Sequence, residues 1–149
     1  MLQKFIRTDK SYATAILRVM LGLLLLPHGA QKMLGWFGGY GFSGTMNFFT
    51  ATAGLPWIIG FLVIVIEFFG AVFLITGFAT RLVSIAIIAD MTGIIFKAHV
   101  QNGFFMNWFG NQAGEGFEYH LLVITMAVVL LISGAGKLSV DYALYQKQK

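Results

Sequence analysis

The stretch WIIGFLVIVIEFFGAVFLITG, residues 57–77, decides the fold class, because it is long and almost wholly apolar yet carries Glu67 near its middle. An α-helix needs about 20 apolar residues to cross a bilayer. An ionisable side chain at membrane depth costs about 2.5 to 3.5 kcal/mol on insertion scales, so it normally has a partner or a function. This stretch therefore predicts a transmembrane helix with a polar group inside the protein.

Three further apolar stretches combine comparable length with charge. The predicted spans are residues 12–34, 57–77, 82–100 and 119–134. The ionisable side chains in or beside them are Arg18, Lys32, Glu67, Asp90, Lys97 and Glu118. We predict a single all-α domain over residues 1–149, an integral membrane four-helix bundle.

Composition excludes several classes of protein. Hydrophobic residues make up 58% of the chain and charged residues only 11%, whereas soluble domains have about 25% charged residues. The net charge of +4 comes from scattered residues, which argues against nucleic-acid binding. Without cysteine, the chain has no disulfide, thiolate nucleophile or Fe–S ligand of its own, so redox chemistry requires a bound cofactor.

The distribution of basic residues predicts the orientation. Connections 35–56 and 101–118 contain no lysine or arginine. The basic residues outside the spans are Lys4, Arg7, Lys10, Arg81, Lys137, Lys147 and Lys149. Because cytoplasmic segments are enriched in lysine and arginine, we expect both termini in the cytoplasm of a multi-pass protein of the bacterial inner membrane.

The two connections without basic residues are rich in glycine and aromatic side chains. Residues 43–53 could form a short amphipathic helix in the extracytoplasmic loop between the first two spans. Aromatic residues of this density suit the headgroup level of a membrane. The loop is thus interpreted either as a membrane anchor or as a flap over a cavity that opens outward.

Helical periodicity predicts an inner cluster formed by Arg18, Glu67 and Asp90. At about 1.5 Å per residue, the three lie at similar depths from the cytoplasmic side. One interpretation is a buried ion pair that fixes the register of the helices. The alternative is a site linked to proton uptake or to ligand orientation.

A second cluster is predicted in the outer third of the bundle, beneath the aromatic loops. It consists of the candidate ligand-binding residues His28, Lys32, Lys97, His99, Glu118 and His120. A quinone head group needs a few hydrogen-bonding groups in a mostly apolar pocket, which this cluster would supply. Haem is less favoured, because on ideal helices His99 points away from Asp90 and His120 away from Glu118. No metal site is predicted.

Several motifs resemble the DoxX family of small bacterial inner-membrane proteins. They are LRVMLGLLLLPHGAQKMLG at 17–35, IEFFGAVFLITGFATR at 66–81, KAH at 97–99 and GAGKLSVD at 134–141. The family often has proline and arginine where this chain has Ala135 and Lys137. The resemblance implies a four-helix inner-membrane protein whose relatives are associated with membrane redox complexes. It marks Arg18, Lys32 and Glu67 as important without defining their roles.

Two hypotheses of function follow, and they differ in whether the chain itself takes part in chemistry. In the first, it is a small membrane subunit of a quinone-linked redox system and binds a quinone-like ligand within the bundle. In the alternative, it is a non-catalytic scaffold that recruits or assembles a partner oxidoreductase. A transporter is less favoured, because no span is obviously broken and four helices leave little room without homo-oligomerisation.

Overall fold

The computed structural model of the protein describes residues 6–147. Lys4 and Lys149, which contribute to the predicted orientation, lie outside this range. Helix accounts for 75% of the structure, and residues 6–147 contain no strand. The predicted all-α class is therefore confirmed.

Four helices cover the apolar stretches, and two short helices accompany them. In chain order the helices are α1 (Tyr12–Leu34), α2 (Gly41–Asn47), α3 (Trp57–Thr76), α4 (Thr80–Asn102), α5 (Glu118–Ser133) and α6 (Val140–Lys147). Of these, α1, α3 and α4 are long and apolar enough to cross a membrane. Helix α5 is also apolar but has 16 residues, which corresponds to a length of about 24 Å.

The outward faces of these helices are apolar. Large side chains such as Ile16, Phe96, Leu122 and Ile132 are exposed on α1, α4 and α5. Contiguous exposed apolar surface is rare on soluble monomers and is typical of a surface that meets lipid. Together with the length of α1, α3 and α4, this surface identifies a membrane protein.

Glycines allow α1 and α3 to pack closely. A Cβ atom added to Gly22 would lie 2.8 Å from Cγ1 of Ile75, and one added to Gly29 would lie 2.5 Å from Cα of Phe68. The helices can approach to this distance only because neither glycine has a side chain. The core beside this contact is built from Leu21, Leu25, Ala71, Leu74, Val83, Ile87, Met91, Val123, Ala127 and Leu130.

Arg18 closes one end of the bundle, which we call the latch end; it comprises residues 7–11, Arg18, residues 77–81 and residues 134–141. The guanidinium is fully buried. Its Nε donates to the Ala135 oxygen at 2.8 Å and its Nη2 to the Leu138 oxygen at 2.9 Å. Its Nη1 donates to the carbonyls of Leu74 and Ile75, in the last turn of α3. Arg18 thus donates to carbonyls at the C-terminal end of α3 and in the segment 134–141, and so joins the two.

Asp141, in the C-terminal part of the chain, also belongs to the latch end. Its carboxylate accepts hydrogen bonds from the backbone N–H groups of Ala79 and Thr80, each at 2.9 Å. These groups belong to the start of α4, where a negative charge is favourable. The backbone N–H of Asp141 in turn donates to the Gly77 oxygen at 2.9 Å. The segment 134–141 therefore joins the end of α3 to the start of α4.

The structure does not bring Arg18 together with Glu67 and Asp90, contrary to the predicted inner cluster. All the hydrogen bonds of its guanidinium go to backbone carbonyls. The reason is directional, because helical side chains tilt toward the N-terminus of their own helix. From α1 this direction leads to the latch end, whereas Glu67 lies nearer the middle of α3.

Candidate functional site

A cavity of about 880 Å³ lies at the end of the bundle opposite the latch end. Its walls come from the second half of α1, the α2–α3 connection, the first half of α3, the second half of α4 and the start of α5. Ligand sites in proteins commonly enclose about 300 to 1,000 Å³. The cavity is therefore large enough for a small organic molecule.

Most of the cavity wall is apolar. The segment between α1 and α3 contributes Phe48, Phe49 and Leu55 to it. The predicted amphipathic helix of residues 43–53 corresponds to α2 and the π-type turn that continues it, Phe48–Thr52. The remaining apolar lining includes Leu25, Ile59, Val63, Met91, Ile94 and Met106.

Wide π-type turns interrupt the helices where they border the cavity. They span Phe48–Thr52, Ile66–Gly70 and Ile95–His99, and each contributes residues to the wall. A π-type turn inserts an extra residue into a helical turn and is frequent at functional sites. The turn in α4 lets Asp90 and His99 line the same cavity, although on an ideal helix they would point apart.

An ion pair between Lys32 and Glu67 crosses from α1 to α3. Nζ of Lys32 lies 2.6 Å from Oε2 of Glu67, whose side chain is almost wholly buried. Lys32 lies almost one turn beyond Gly29, where the two backbones come closest. Because its side chain tilts back toward the N-terminus of α1, it reaches Glu67 directly. The structure thus joins one member of each predicted cluster.

Three buried polar atoms around the cavity have no hydrogen-bond partner among residues 6–147. They are Oδ2 of Asp90, the hydroxyl of Tyr119 and Nδ1 of His120. Asp90 and His120 are only 8% and 7% exposed, respectively. A buried polar atom without a partner costs about 1–3 kcal/mol. Such atoms in the wall of a cavity are therefore candidates for contact with a polar ligand.

The histidines of the chain converge on this cavity. The ring centroids of His99 and His120 are 4.3 Å apart, and those of His28 and Tyr119 are 6.0 Å apart. Nδ1 of His99 lies 2.7 Å from the backbone oxygen of Glu115. The structure thus places all three predicted histidines in one wall.

Lys97 and Glu118 differ in their placement. Lys97 lines the cavity, and no residue of the described range forms an ion pair with it. Glu118 lies outside the cavity lining, because its Oε1 accepts hydrogen bonds from the Met106 N–H at 3.1 Å and from Nε1 of Trp108 at 3.2 Å. Glu118 therefore organises the loop before α5 rather than the cavity.

Sequence reasoning missed Tyr119 and the backbone of Glu115. Tyr119 belongs to the predicted apolar span 119–134. Only its neighbour His120 indicates that a polar site lies at this position. A backbone acceptor such as the Glu115 carbonyl leaves no signal in the side-chain pattern. The described residues also contain no group of three histidine, cysteine or acidic side chains arranged to hold a metal ion.

The arrangement can hold a molecule with a polar head and an apolar body. Asp90, Tyr119, His120 and Lys97 offer donors and acceptors, while the phenylalanine, leucine and isoleucine side chains offer apolar surface. The Lys32–Glu67 pair supplies charge within reach of the same space. Such a combination is typical of a site that orients a small amphipathic ligand.

Comparison with known proteins gives a family and a relative. The family model of DoxX matches residues 13–100. A protein of Bacillus subtilis (strain 168) named "Putative oxidoreductase CatD" is 27% identical over 143 residues, which cover 95% of each chain. No solved structure matches this chain significantly.

Proposed function

We propose that the chain, which belongs to the DoxX family, is a small membrane subunit of a quinone-linked redox system. The second support is its cavity, which presents a few polar groups in a mostly apolar wall. In this proposal the cavity binds a quinone-like apolar ligand. The name of the Bacillus subtilis relative supports the redox part of the proposal. The geometry of the cavity supports the ligand part.

The observation that carries the proposal is the set of unpartnered buried polar atoms in an apolar wall. Asp90, Tyr119 and His120 each present one such atom, and all three line the cavity. A quinone has polar oxygens on an otherwise apolar ring, and its tail is apolar. Its oxygens would accept hydrogen bonds from the Tyr119 hydroxyl, and from Asp90 or His120 when these carry a proton, while the ring and tail contact the surrounding phenylalanine, leucine and isoleucine side chains. The donor set therefore fits this class of ligand.

Each polar residue would have a distinct task. A quinone accepts two electrons and two protons when it is reduced. Asp90 can hold or release a proton beside the head group, and Tyr119 and His120 can orient its oxygens. The Lys32–Glu67 pair would keep a charged acid near the ligand without leaving it unpaired in the membrane. Electrons would come from, or go to, a partner oxidoreductase.

The proposed membrane arrangement places the cavity on the extracytoplasmic side of the bacterial inner membrane. The latch end carries Lys10, Arg81 and Lys137, as expected for a cytoplasmic side. Helix α5 is about 24 Å long, slightly less than the bilayer core. We include α5 as the fourth span because its first residue, Glu118, bonds the aromatic loop before it, which we place at the membrane interface.

Mass spectrometry of small molecules that co-purify with the detergent-extracted protein tests the proposal. The informative variant is Tyr119→Phe, which keeps the aromatic ring but removes the unpartnered hydroxyl. Tyr12→Phe is the matched control, because Tyr12 lies at the start of α1, where its ring contacts Nζ of Lys137. Retention of a quinone by wild type and Tyr12→Phe, with reduced retention by folded Tyr119→Phe, is expected. A wild-type protein that retains no quinone and binds none when it is added contradicts the proposal.

A second candidate function is the scaffold, and the exposed aromatic side chains favour it. Trp108 and Phe109, in the loop before α5, are 79% and 90% exposed, a surface that a partner protein could cover. Replacing both Lys32 and Glu67 with methionine separates the two functions, because it removes the ion pair without leaving one charge unpaired. A scaffold should still assemble with its partner, whereas a ligand site should lose its ligand.

A further inference from the structure

Helices α3 and α4 touch near the latch end and separate toward the cavity. A Cβ atom added to Gly70 of α3 would lie 3.4 Å from Cγ1 of Val83 in α4, an ordinary contact. Toward the other end, the first half of α3, Trp57–Val65, packs against α1, α2 and the turn Phe48–Thr52 but makes little contact with α4. Helix α4 packs mainly on α5 instead. A gap therefore lies between α3 and α4 at the level of the cavity.

Gly93 of α4 lies at this gap. It lines the cavity, it is exposed, and a Cβ atom added to it would meet nothing within 4 Å. Ile59, in the part of the cavity wall that belongs to α3, is 43% exposed, and Phe96, one turn beyond Gly93 in α4, is 72% exposed. We call the gap bordered by Ile59, Gly93 and Phe96 the side opening. Its border is apolar, as on the surface that meets lipid.

The side opening lies at membrane depth. Gly93 is about 20 Å along α4 from Thr80, at about 1.5 Å per residue. The hydrocarbon core of a bilayer is about 30 Å thick. A gap at this level that faces away from the bundle is therefore next to lipid chains rather than next to water.

Asp90 lies one turn nearer the latch end than Gly93, on the same face of α4. It is only 8% exposed, and its Oδ2 has no hydrogen-bond partner among residues 6–147. A carboxyl group needs a polar partner whether or not it carries a proton, because the acid donates and accepts and the carboxylate accepts. Asp90 thus marks a position for the polar end of a ligand, directly behind an apolar opening.

Lys97 lies one turn beyond Gly93 in the other direction and lines the same cavity. Its ammonium forms no ion pair with any residue of the range 6–147. Lysine side chains near the ends of membrane spans extend their charge toward the interface. Lys97 would therefore form a polar outer rim, where it can meet an oxygen of a head group, and an apolar chain would pass between Ile59 and Gly93.

We infer that the side opening connects the cavity to the bilayer and holds the apolar tail of a membrane-dissolved ligand whose head group lies beside Asp90. This inference rests on the proposed function, in which the cavity binds a quinone-like molecule. It adds the route of entry and narrows the class of ligand to a polar head group with a long chain. A tail in the side opening remains in an apolar medium, so binding does not transfer it to water.

The first test asks what the side opening faces, and it needs no ligand. Because the chain has no cysteine, a nitroxide spin label can be attached to Gly93→Cys in the full-length protein in lipid nanodiscs. Oxygen, which dissolves in lipid, and a water-soluble nickel complex then compete to relax the label. We expect the ratio of oxygen to nickel collision rates to match that of Phe96→Cys, the lipid-facing reference, and to exceed that of Trp108→Cys, the reference for the outer loop. Collision with nickel as frequent as at Trp108→Cys, or protection from both reagents, overturns the inference.

The second test fills the side opening and compares two probes. One is a fully substituted benzoquinone with a decyl chain, and the other has a methyl group in place of that chain. Dissociation constants are expressed as mole fractions in the lipid, so that partitioning of the decyl chain does not contribute. Gly93→Trp should weaken binding of the decyl probe by about tenfold or more, because the indole occupies the path of the tail, and should change binding of the methyl probe less than about twofold.

Ile85→Trp is the matched control for this substitution. Ile85 is an exposed residue of α4 that does not line the cavity, so the same ring added there should leave the binding of both probes unchanged. Thermal melts show whether each variant is folded.

The outcomes separate this inference from the proposed function. If folded Gly93→Trp weakens both probes equally, or neither, the inference is overturned and the proposed function stands. If the folded wild type binds neither probe, both are overturned. A selective loss of the decyl probe, together with a lipid-facing label at Gly93→Cys, supports the inference.

Discussion

Replacing Gly29 with alanine should push α1 and α3 apart where the Lys32–Glu67 ion pair forms. The added Cβ would lie 2.5 Å from Cα of Phe68 and 2.6 Å from the backbone oxygen of Glu67. Both neighbours are backbone atoms, so no flexible side chain can move aside. The perturbation therefore acts on the separation of the helices themselves.

The magnitude follows from the missing distance. Ordinary contact begins at 3.4 Å, so the backbones must separate by about 0.9 Å, the difference between 3.4 and 2.5 Å. Overpacking of this kind typically costs about 1–3 kcal/mol. The separation also lengthens the contact between Lys32 and Glu67, which is now 2.6 Å. We expect ligand binding to weaken together with stability.

Gly93→Ala is the matched control for this substitution. Gly93 lies in the helical part of α4, and a Cβ added there meets nothing within 4 Å. Both substitutions carry the same gain in helix propensity of about 1 kcal/mol, so their difference isolates the clash. Equilibrium unfolding of each variant in mixed micelles, followed by far-ultraviolet circular dichroism, measures that difference.

We expect Gly29→Ala to be less stable than Gly93→Ala by about 1–3 kcal/mol. Equal stability of the two variants would refute the reasoning, because it would mean that α1 and α3 do not approach closely at Gly29. A stable Gly29→Ala variant that still binds ligand normally would also show that the ion pair does not depend on this contact.

Two further predictions concern the latch end and the orientation. Arg18→Gln should lower the free energy of unfolding by about 3 kcal/mol or more, because it leaves buried carbonyls unsatisfied. The folded fraction of this variant should still bind ligand as the wild type does. A selective loss of ligand binding at unchanged stability would show instead that Arg18 contributes to the cavity. Because the chain has no cysteine, single introduced cysteines can report its membrane topology. In intact cells a membrane-impermeant maleimide should label Trp108→Cys but not Lys10→Cys. The reverse labelling pattern would show that the proposed orientation is wrong.

Some features of the site could be predicted from sequence because they depend on local pattern. In the sequence, Gly22 and Gly29 share one face of the first helix with Arg18 and Lys32, a pattern of small residues that favours close packing, and both glycines do contact α3. Placing the histidines together followed from counting residues along helices, and all three line one cavity. Depth is a property of a single helix, so counting residues is sufficient for it, whereas the face on which His99 lies also depends on the π-type turn Ile95–His99.

The pairing of charges could not be predicted in this way. Arg18 and Glu67 share a similar estimated depth, yet Arg18 bonds carbonyls at the latch end and Glu67 bonds Lys32. Which partner a side chain reaches depends on its tilt along the helix and on the distance between two helices. Neither quantity is contained in the spacing of residues along one chain segment.

The sequence by itself determined the helical class, the apolar surface that meets the membrane and the set of polar residues carried inside it. The tertiary structure alone decided that these residues divide between a latch end and a cavity. It did so through the π-type turns that contain Glu67 and His99, and through the distance between α1 and α3 at the Lys32–Glu67 ion pair. The spacing of residues along one helix specifies neither, because both are features of how the chain is arranged in three dimensions.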